Sequence, residues 1–310
     1  MKILITGGSG YIGSELVDFL LKDGHQVRVL DNMMYGPAES LLRYSNNPNF
    51  EFDQLDVREK TTLAKHLSKA DVILPLAALV GFPLCEKRSY EATEVNLEVN
   101  RWIAKNKSKE QLLVYPCTNS GYGAVKDGQP CTEESPMNPV SVYGVTKVDA
   151  EKIYRQTEGC TTVRLATVFG PSTRMRTDLL VNNFVWKALK DRSIVLYECT
   201  FMRNYVHIWD VCRAFKFIID NWNYCKNETF NVGNDLINAN KLELALAVQK
   251  HIKFEIIKAE INSDPDVRNY IVSSQKFYNK GFECEYDLDA GIQQLVKAYK
   301  LIDIPFYGNY

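Results

Sequence analysis

The sequence lacks most of what would place it quickly. Nowhere do eighteen apolar residues run together, so no segment reads as a membrane span. The chain enters an apolar run at once, without a basic n-region or a small-residue cleavage site, so no leader is expected and the expected location is the cytoplasm. Charge of one sign is missing too: 37 Lys and Arg face 38 Asp and Glu, and no block of like charge occurs. That excludes a sequence-independent grip on nucleic acid, and any bound anion must be met by local groups. The eight cysteines form no C-x-x-C pair and have only four histidines beside them. Neither a metal site nor a disulfide framework is expected, but free thiols in a reducing compartment. Repeats, low-complexity tracts and Gly/Ser linkers are absent as well.

What is present is alternation. Short apolar runs at 2–6, 26–30, 50–54, 71–76 and 112–115 are separated by helical patterns such as 12–22, and a sixth run stands at 161–166. Such alternation predicts an α/β fold, a doubly wound parallel sheet of the Rossmann type with helices on both faces. The stretches 91–106 and 143–157 read as helices long enough to cross that sheet. Beyond Gly170 the rhythm breaks into mixed helices, short strands and turn signals such as Gly170-Pro171 and Asp264-Pro265, which predicts a smaller mixed α/β lobe. The expected division is 1–168 with 206–228 for the sheet domain, and 169–205 with 229–310 for the lobe. With 310 residues, 45% of them hydrophobic, the chain can bury a core in both.

The first run leads into Gly7-Gly8-Ser9-Gly10-Tyr11-Ile12-Gly13, and a helical pattern follows directly. Glycines at 7, 10 and 13 let the backbone turn tightly, approach a pyrophosphate and pack helix on strand, while the amides and dipole of the helix face the anion. Tyr11 and Ile12 lie in the same turn. Asp31 ends the second run, 18 residues beyond Gly13, where a carboxylate accepts hydrogen bonds from an adenosine ribose and repels a 2′-phosphate. Asn32 beside it adds no cation, which favours NAD over NADP, with Arg28 as the one basic group nearby. Asp56 and Val57 after the third run are placed to hold the adenine edge, and Leu76, Ala77 and Ala78 after the fourth give small side chains where backbone passes close to a cofactor.

Tyr143 and Lys147 stand four residues apart at the start of a helical pattern, hence on one face. A free phenol, with a pKa of about 10, is a poor base at neutral pH, and a neighbouring cation favours its ionised form. Lys147 supplies that charge and reaches a nicotinamide ribose. Thr118, just past the fifth run, lies at the sheet end where ligands bind in such folds, and its hydroxyl can hydrogen-bond a substrate alcohol while Tyr143 takes the proton.

With the glycine turn, Asp31, Thr118 and the Tyr143/Lys147 pair in this order, the chain resembles the extended short-chain dehydrogenase/reductase family of nucleotide-sugar epimerases and dehydratases, over nearly its whole length. The resemblance implies NAD as cofactor, a nucleotide-sugar substrate, a homodimer built on the helices at 91–106 and 143–157, and Thr118, Tyr143 and Lys147 as catalytic residues. Arg164–Pro171 and Arg203-Asn204-Tyr205-Val206-His207 look like the family's substrate-side motifs, and Asp266-Val267-Arg268 looks like its late arginine. Arg203 and Arg268 would then clamp a diphosphate with their guanidinium forks, helped by Asn182 or Asn183.

Two departures stand out. The family's 4,6-dehydratases place Asp-Glu after the catalytic Thr, whereas this chain has Asn119-Ser120, substrate-side groups that cannot exchange protons as two carboxylates do. Thr167 stands where the epimerases usually carry Asn. Finer strings, among them Pro75–Gly81, Thr118–Gly123, Arg174–Asn182 and Asp264–Arg268, look most like the GDP-heptose 4-dehydrogenases of bacterial capsule polysaccharide biosynthesis. The expected activity is oxidation of a sugar C4 hydroxyl; a 4-epimerase and a non-catalytic NAD-sensing protein are the alternatives.

Overall fold

Ile3 and Ile5 point to one side of the first strand and join a buried cluster with Val17, Leu20, Phe215 and Ile218. Leu4 points to the other and joins Leu63, Ile73, Ile103 and Leu113. A strand apolar on both faces belongs inside a sheet covered twice. The computed structural model, which describes residues 1–123, 129–259, 269–302 and 308–309, has it there.

In chain order the sheet domain runs β1 (Lys2–Thr6), α1 (Tyr11–Lys22), β2 (Gln26–Asp31), β3 (Phe50–Gln54), α2 (Lys60–Leu67), β4 (Val72–Pro75), α3 (Phe82–Lys87), α4 (Ser89–Thr93), α5 (Val99–Asn106), β5 (Leu112–Thr118), α6 (Val142–Arg155) and β6 (Cys160–Leu165). The chain then passes through β7 (Thr167–Phe169), α7 (Leu180–Lys190), β8 (Ser193–Leu196) and β9 (Arg203–His207). It returns through α8 (Ile208–Asp220), α9 (Trp222–Cys225) and β10 (Thr229–Val232), and ends with β11 (Asn234–Ala239), α10 (Lys241–Gln249), β12 (Glu255–Lys258), α11 (Gln275–Tyr278) and α12 (Leu288–Leu301).

Seven parallel strands stand in the order β10-β6-β5-β4-β1-β2-β3, so the order reverses between β1 and β4 and opens a crevice at their carboxyl ends. β10 pairs in parallel with β6, so the return segment expected over 206–228 runs on to Val232. The second lobe has a three-stranded sheet, β11-β9-β7, and the pair β12-β8, around a core that includes Phe169, Val185, Leu244 and Leu295.

The single helix expected over 91–106 is instead α4 and α5 joined by a π-helical stretch, Glu94–Glu98. Asn96 explains the bulge: wholly buried, its amide accepts from the Leu79 amide and donates to the Leu79 carbonyl, both at 2.9 Å, which pins the helix to the loop after β4. All eight cysteines are free thiols, and among the described residues no helix is long and apolar enough to cross a membrane.

The lobes are stitched along α1. The Tyr11 hydroxyl donates to the Gly170 carbonyl at 2.7 Å, Glu15 accepts from the Thr173 amide at 2.7 Å, and the Ser14 and Ser172 hydroxyls meet at 3.1 Å.

Candidate active site

The crevice widens into a cavity of about 1140 Å³ between the lobes. Its floor is the glycine turn. Gly7 has a φ of 73°, and a Cβ there would lie 2.6 Å from the Ala77 amide nitrogen; a Cβ on Gly13 would lie 2.6 Å from the Gly7 carbonyl oxygen. The glycines thus close the backbone of β1, β4 and α1 together and leave the N-terminus of α1 open to the cavity.

Asp31 lines the cavity with its carboxylate accepting the Ser9 amide at 3.1 Å and the Met33 amide at 2.8 Å, and its oxygens keep lone pairs for a ribose diol. Asp56 lines it as well; Arg58, donating two side-chain hydrogen bonds, holds its carboxyl down at about 2. Arg28 is taken up by Asp53 and Glu51, so its charge is committed away from Asp31. Asn32, Val57, Leu76, Ala77, Ala78, Gly10, Tyr11 and Ile12 also line the cavity. An adenosine diphosphate without a 2′-phosphate fits these donors: amides for the pyrophosphate, a fixed carboxylate for the ribose and, with Arg28 and Arg58 both paired, no cation committed to a 2′-phosphate among the described residues that flank it. Tyr11, expected only at the cofactor, also spends its hydroxyl on the second lobe.

Thr118, Tyr143 and Lys147 line the same cavity. Thr118 ends β5 and caps a short 3-10 turn, with Oγ1 accepting the Ser120 amide at 3.1 Å and donating to the Ser120 hydroxyl at 3.0 Å. Ser141 caps α6 by accepting the Gly144 amide at 3.1 Å, which sets Tyr143, partly exposed, in the helix's first turn. Lys147 is 4% exposed, with Nζ 4.2 Å from the centroid of Tyr115. Burial pushes its ammonium down to about 8, against the opposing pull of Cys117, Cys85 and Glu151.

On the second-lobe wall stand Asn183 and Arg203, with Arg203 only 7% exposed. Two expected residues lie elsewhere. Asn182 is wholly buried, its amide accepting from the Gly170 amide at 3.0 Å and donating to the carbonyls of Gly170 and Arg176, so it fastens the loop before α7 and has no hand free for phosphate. Asn119 is 1% exposed inside the 3-10 turn and does not line the cavity. Ser120 does. Arg268 lies outside the described residues.

Sequence reasoning passed over Lys241, Tyr197 and Tyr270, and it assigned no role to Arg174, Arg176 or Asp178, all of which line the cavity. Lys241 donates to the Tyr197 carbonyl at 3.1 Å. Its one local signal was Asn240-Lys241 opening α10 through a capping box, which marks a helix start but not what that start faces.

The sequence pattern of the NAD dependent epimerase/dehydratase family matches residues 3–233. The UDP-glucose 4-epimerase of Mycolicibacterium smegmatis is 31% identical over 230 residues, 69% of this chain and 72% of that protein. The low-salt glycan biosynthesis protein Agl12 of Haloferax volcanii is 27% identical over 311 residues, 96% of this chain and 98% of that protein. Among solved structures, UDP-glucose 4-epimerase of Thermotoga maritima with UDP-glucose superimposes with a TM-score of 0.86 at 24% identity, covering 97% of this chain and 99% of that one, a likeness of fold.

Proposed function

From the NAD dependent epimerase/dehydratase family, to which this chain belongs, we propose that the protein oxidises the C4 hydroxyl of a nucleotide-linked sugar of the GDP-heptose type and releases a 4-keto sugar. The observation that carries the reading is an intact Thr118, Tyr143 and Lys147 in the cavity lining together with Asn119-Ser120 in place of two carboxylates. Oxidation needs a positioned alcohol and a base; loss of water needs a further acid and base, which an amide and a hydroxyl do not supply.

The Thr118 hydroxyl orients the substrate alcohol, and the Tyr143 oxygen takes its proton. Lys147 favours the ionised phenol and sits where a ribose hydroxyl would pass. NAD, when bound on the glycine turn, supplies the acceptor for the carbon-bound hydrogen and its two electrons. Arg203 and Asn183 hold the diphosphate, together with Arg268 by the sequence resemblance; their contacts, remote from C4, orient the reacting carbon. A cytoplasmic homodimer packed through α4, α5 and α6, working in capsule polysaccharide synthesis, belongs to the same proposal. Tyr90 and Val145, 79% and 41% exposed, are apolar groups that such an interface would cover.

A second reading, a 4-epimerase, draws support from the 31% identity to the mycobacterial enzyme of that name. Purified protein incubated with GDP-heptose, GDP-mannose, UDP-glucose and dTDP-glucose separates the two, followed at 340 nm with products identified by mass and NMR. A keto product with stoichiometric NADH upholds the oxidation. An isomer of unchanged mass makes the protein an epimerase, and no turnover of any of the four removes both readings for these substrates.

A further inference from the structure

Two loops, one from each lobe, join on the cavity wall through a contact that the proposed chemistry does not use. The Arg174 guanidinium carbon lies 4.9 Å from the centroid of the Tyr35 ring, and both residues, half-buried, line the cavity. Each side is held in place. Tyr35 follows Asp31 within the loop after β2, at the third position of a turn closed by the Gly36 amide donating to the Met33 carbonyl at 3.0 Å. The Met33 amide is itself held by the Asp31 carboxylate at 2.8 Å. Arg174 follows Ser172 and Thr173, which are bolted to α1 beside the glycine turn. The Ser172 hydroxyl donates to the Tyr11 carbonyl at 2.9 Å, the Thr173 amide to Glu15 at 2.7 Å, and the Arg174 amide to the Ser172 hydroxyl at 3.2 Å. The stack therefore joins a loop tied to the carboxylate that would hold the ribose with a loop tied to the helix start that would face the pyrophosphate. A guanidinium over an aromatic face is attracted to it electrostatically, more strongly as water is excluded.

We propose that Tyr35 and Arg174 form a strap that retains the cofactor: NAD or NADH held on the glycine turn and Asp31 leaves when the stack between the lobes opens. The inference rests on the cofactor site and on no particular sugar. The anchors give the strap its hold. Ser172 and Thr173 fix the base of one loop to α1, and the turn from Met33 to Gly36 fixes the other, so neither side chain can follow its partner far. A departing cofactor has to break the stack and cannot carry it along. Holding the lobes together is a separate task, served by the hydrogen bonds of Tyr11, Ser14 and Glu15 to Gly170, Ser172 and Thr173, none of which involves Tyr35. In the proposed oxidation, which leaves NADH behind, the strap sets the pace at which fresh NAD enters.

The test loads the purified protein with NADH, mixes it with a large excess of NAD and follows the decay of the bound-nucleotide fluorescence, which gives the exit rate without any sugar. Arg174→Ala and Tyr35→Ala are each expected to speed exit by about two- to thirty-fold, the span of a cation–π contact from its exposed to its desolvated limit. Tyr35→Phe, which keeps a ring under the guanidinium, should stay close to the unaltered rate. The variant carrying both Tyr35→Ala and Arg174→Ala should be no faster than the faster single one, because one contact can be lost only once. An unmoved exit rate in Arg174→Ala overturns the inference, and so does a double variant in which the two accelerations multiply. Either single variant serves if the other does not fold. Melting temperatures of the NAD-free proteins should stay nearly unchanged; a drop with an unmoved exit rate would make the stack a brace between the lobes and overturn the strap. Failure to bind NADH would remove this inference and the proposed reaction together, whereas faster exit from a protein that turns over no sugar would sustain the strap and remove the reaction alone.

Discussion

Four residues separate Tyr143 from Lys147, and burial separates their chemistry. Lys147 lies beneath the helix against Tyr115, out of reach of bulk water, while Tyr143 is partly exposed at the cavity wall. In the proposed reaction the more exposed phenol meets the substrate proton, so the two are not interchangeable as bases. Tyr143→Phe is expected to lower oxidation by about 10²–10⁴-fold, the range for a positioned acid–base group, and to leave NAD binding as in the unaltered protein. Fluorescence titration with NADH beside turnover assays checks this; an active Tyr143→Phe enzyme ends the assignment. These residues were legible in the sequence because a spacing of four fixes one helix face. Asn182 and Asn183 were not separable in that way. Adjacent on α7, they point about 100° apart, and the packing of α7 against Gly170 decides which one faces the cavity. Arg176 and Lys241 were beyond reach for the same reason: the second lobe, not any local pattern, sets them on the cavity wall.

At the scale of elements, the strand at 2–6 was readable to the residue and the helix at 12–22 to within one, starting as it does at Tyr11, because the glycines answer local demands. The demands differ, and this makes them separable by experiment. A Cβ on Gly13 would press on the Gly7 carbonyl and on Gly8 Cα, both at 2.6 Å and both backbone, so nothing nearby can swing aside. Ala gains about 1 kcal/mol over Gly in a helix interior, but overpacking of this kind costs about 1–3 kcal/mol, and the clash wins. Gly13→Ala should therefore lower the melting temperature and weaken NAD binding together. Gly10 has a φ of −76° and meets only the Gly7 oxygen, at 3.2 Å. Gly10→Ala should leave the melting temperature nearly unchanged and weaken NAD binding alone, because its methyl intrudes where a phosphate would approach. Calorimetry on both variants with and without NAD decides it; equal losses of stability would contradict the reading. The helix over 91–106 shows the limit of pattern reading. Its periodicity is helical throughout, and the π-helical bulge follows from a hydrogen-bonded clasp between Asn96 and Leu79, 17 residues away in sequence.

At the scale of the whole molecule, the junction of the lobes is tuned to one protonation state of His207. The ring is wholly buried, stacked on Tyr286 at 4.5 Å and set edge-on to Phe169 and Trp209. Its Nδ1 accepts the Trp209 amide at 3.3 Å and so caps α8, an interaction that a protonated ring, with donors on both nitrogens, cannot make. Burial accordingly pushes the imidazole down to about 4. An unfolded histidine titrates at about 6.5. Between the two values the unfolded chain binds a proton that the folded one refuses, so the contribution is complete above about pH 6.5 and is lost progressively as pH falls toward 4. Its full size is about 3.5 kcal/mol, the gap between 4 and 6.5 at about 1.4 kcal/mol per pH unit. Other groups complicate the total. His25 and His66 are also lowered, chiefly by burial, while Glu133, Asp210 and Asp235 are raised by burial and gain stability as pH falls. All of them remain in His207→Asn, in which Asn keeps a cap on α8, so the difference between the two proteins isolates His207. Urea unfolding from pH 7.5 down to 4.5 should show the unaltered protein losing stability more steeply, with the gap between the two closing as pH falls. Parallel curves would mean that the ring is not held neutral, and that the junction of the lobes does not sense acid through it.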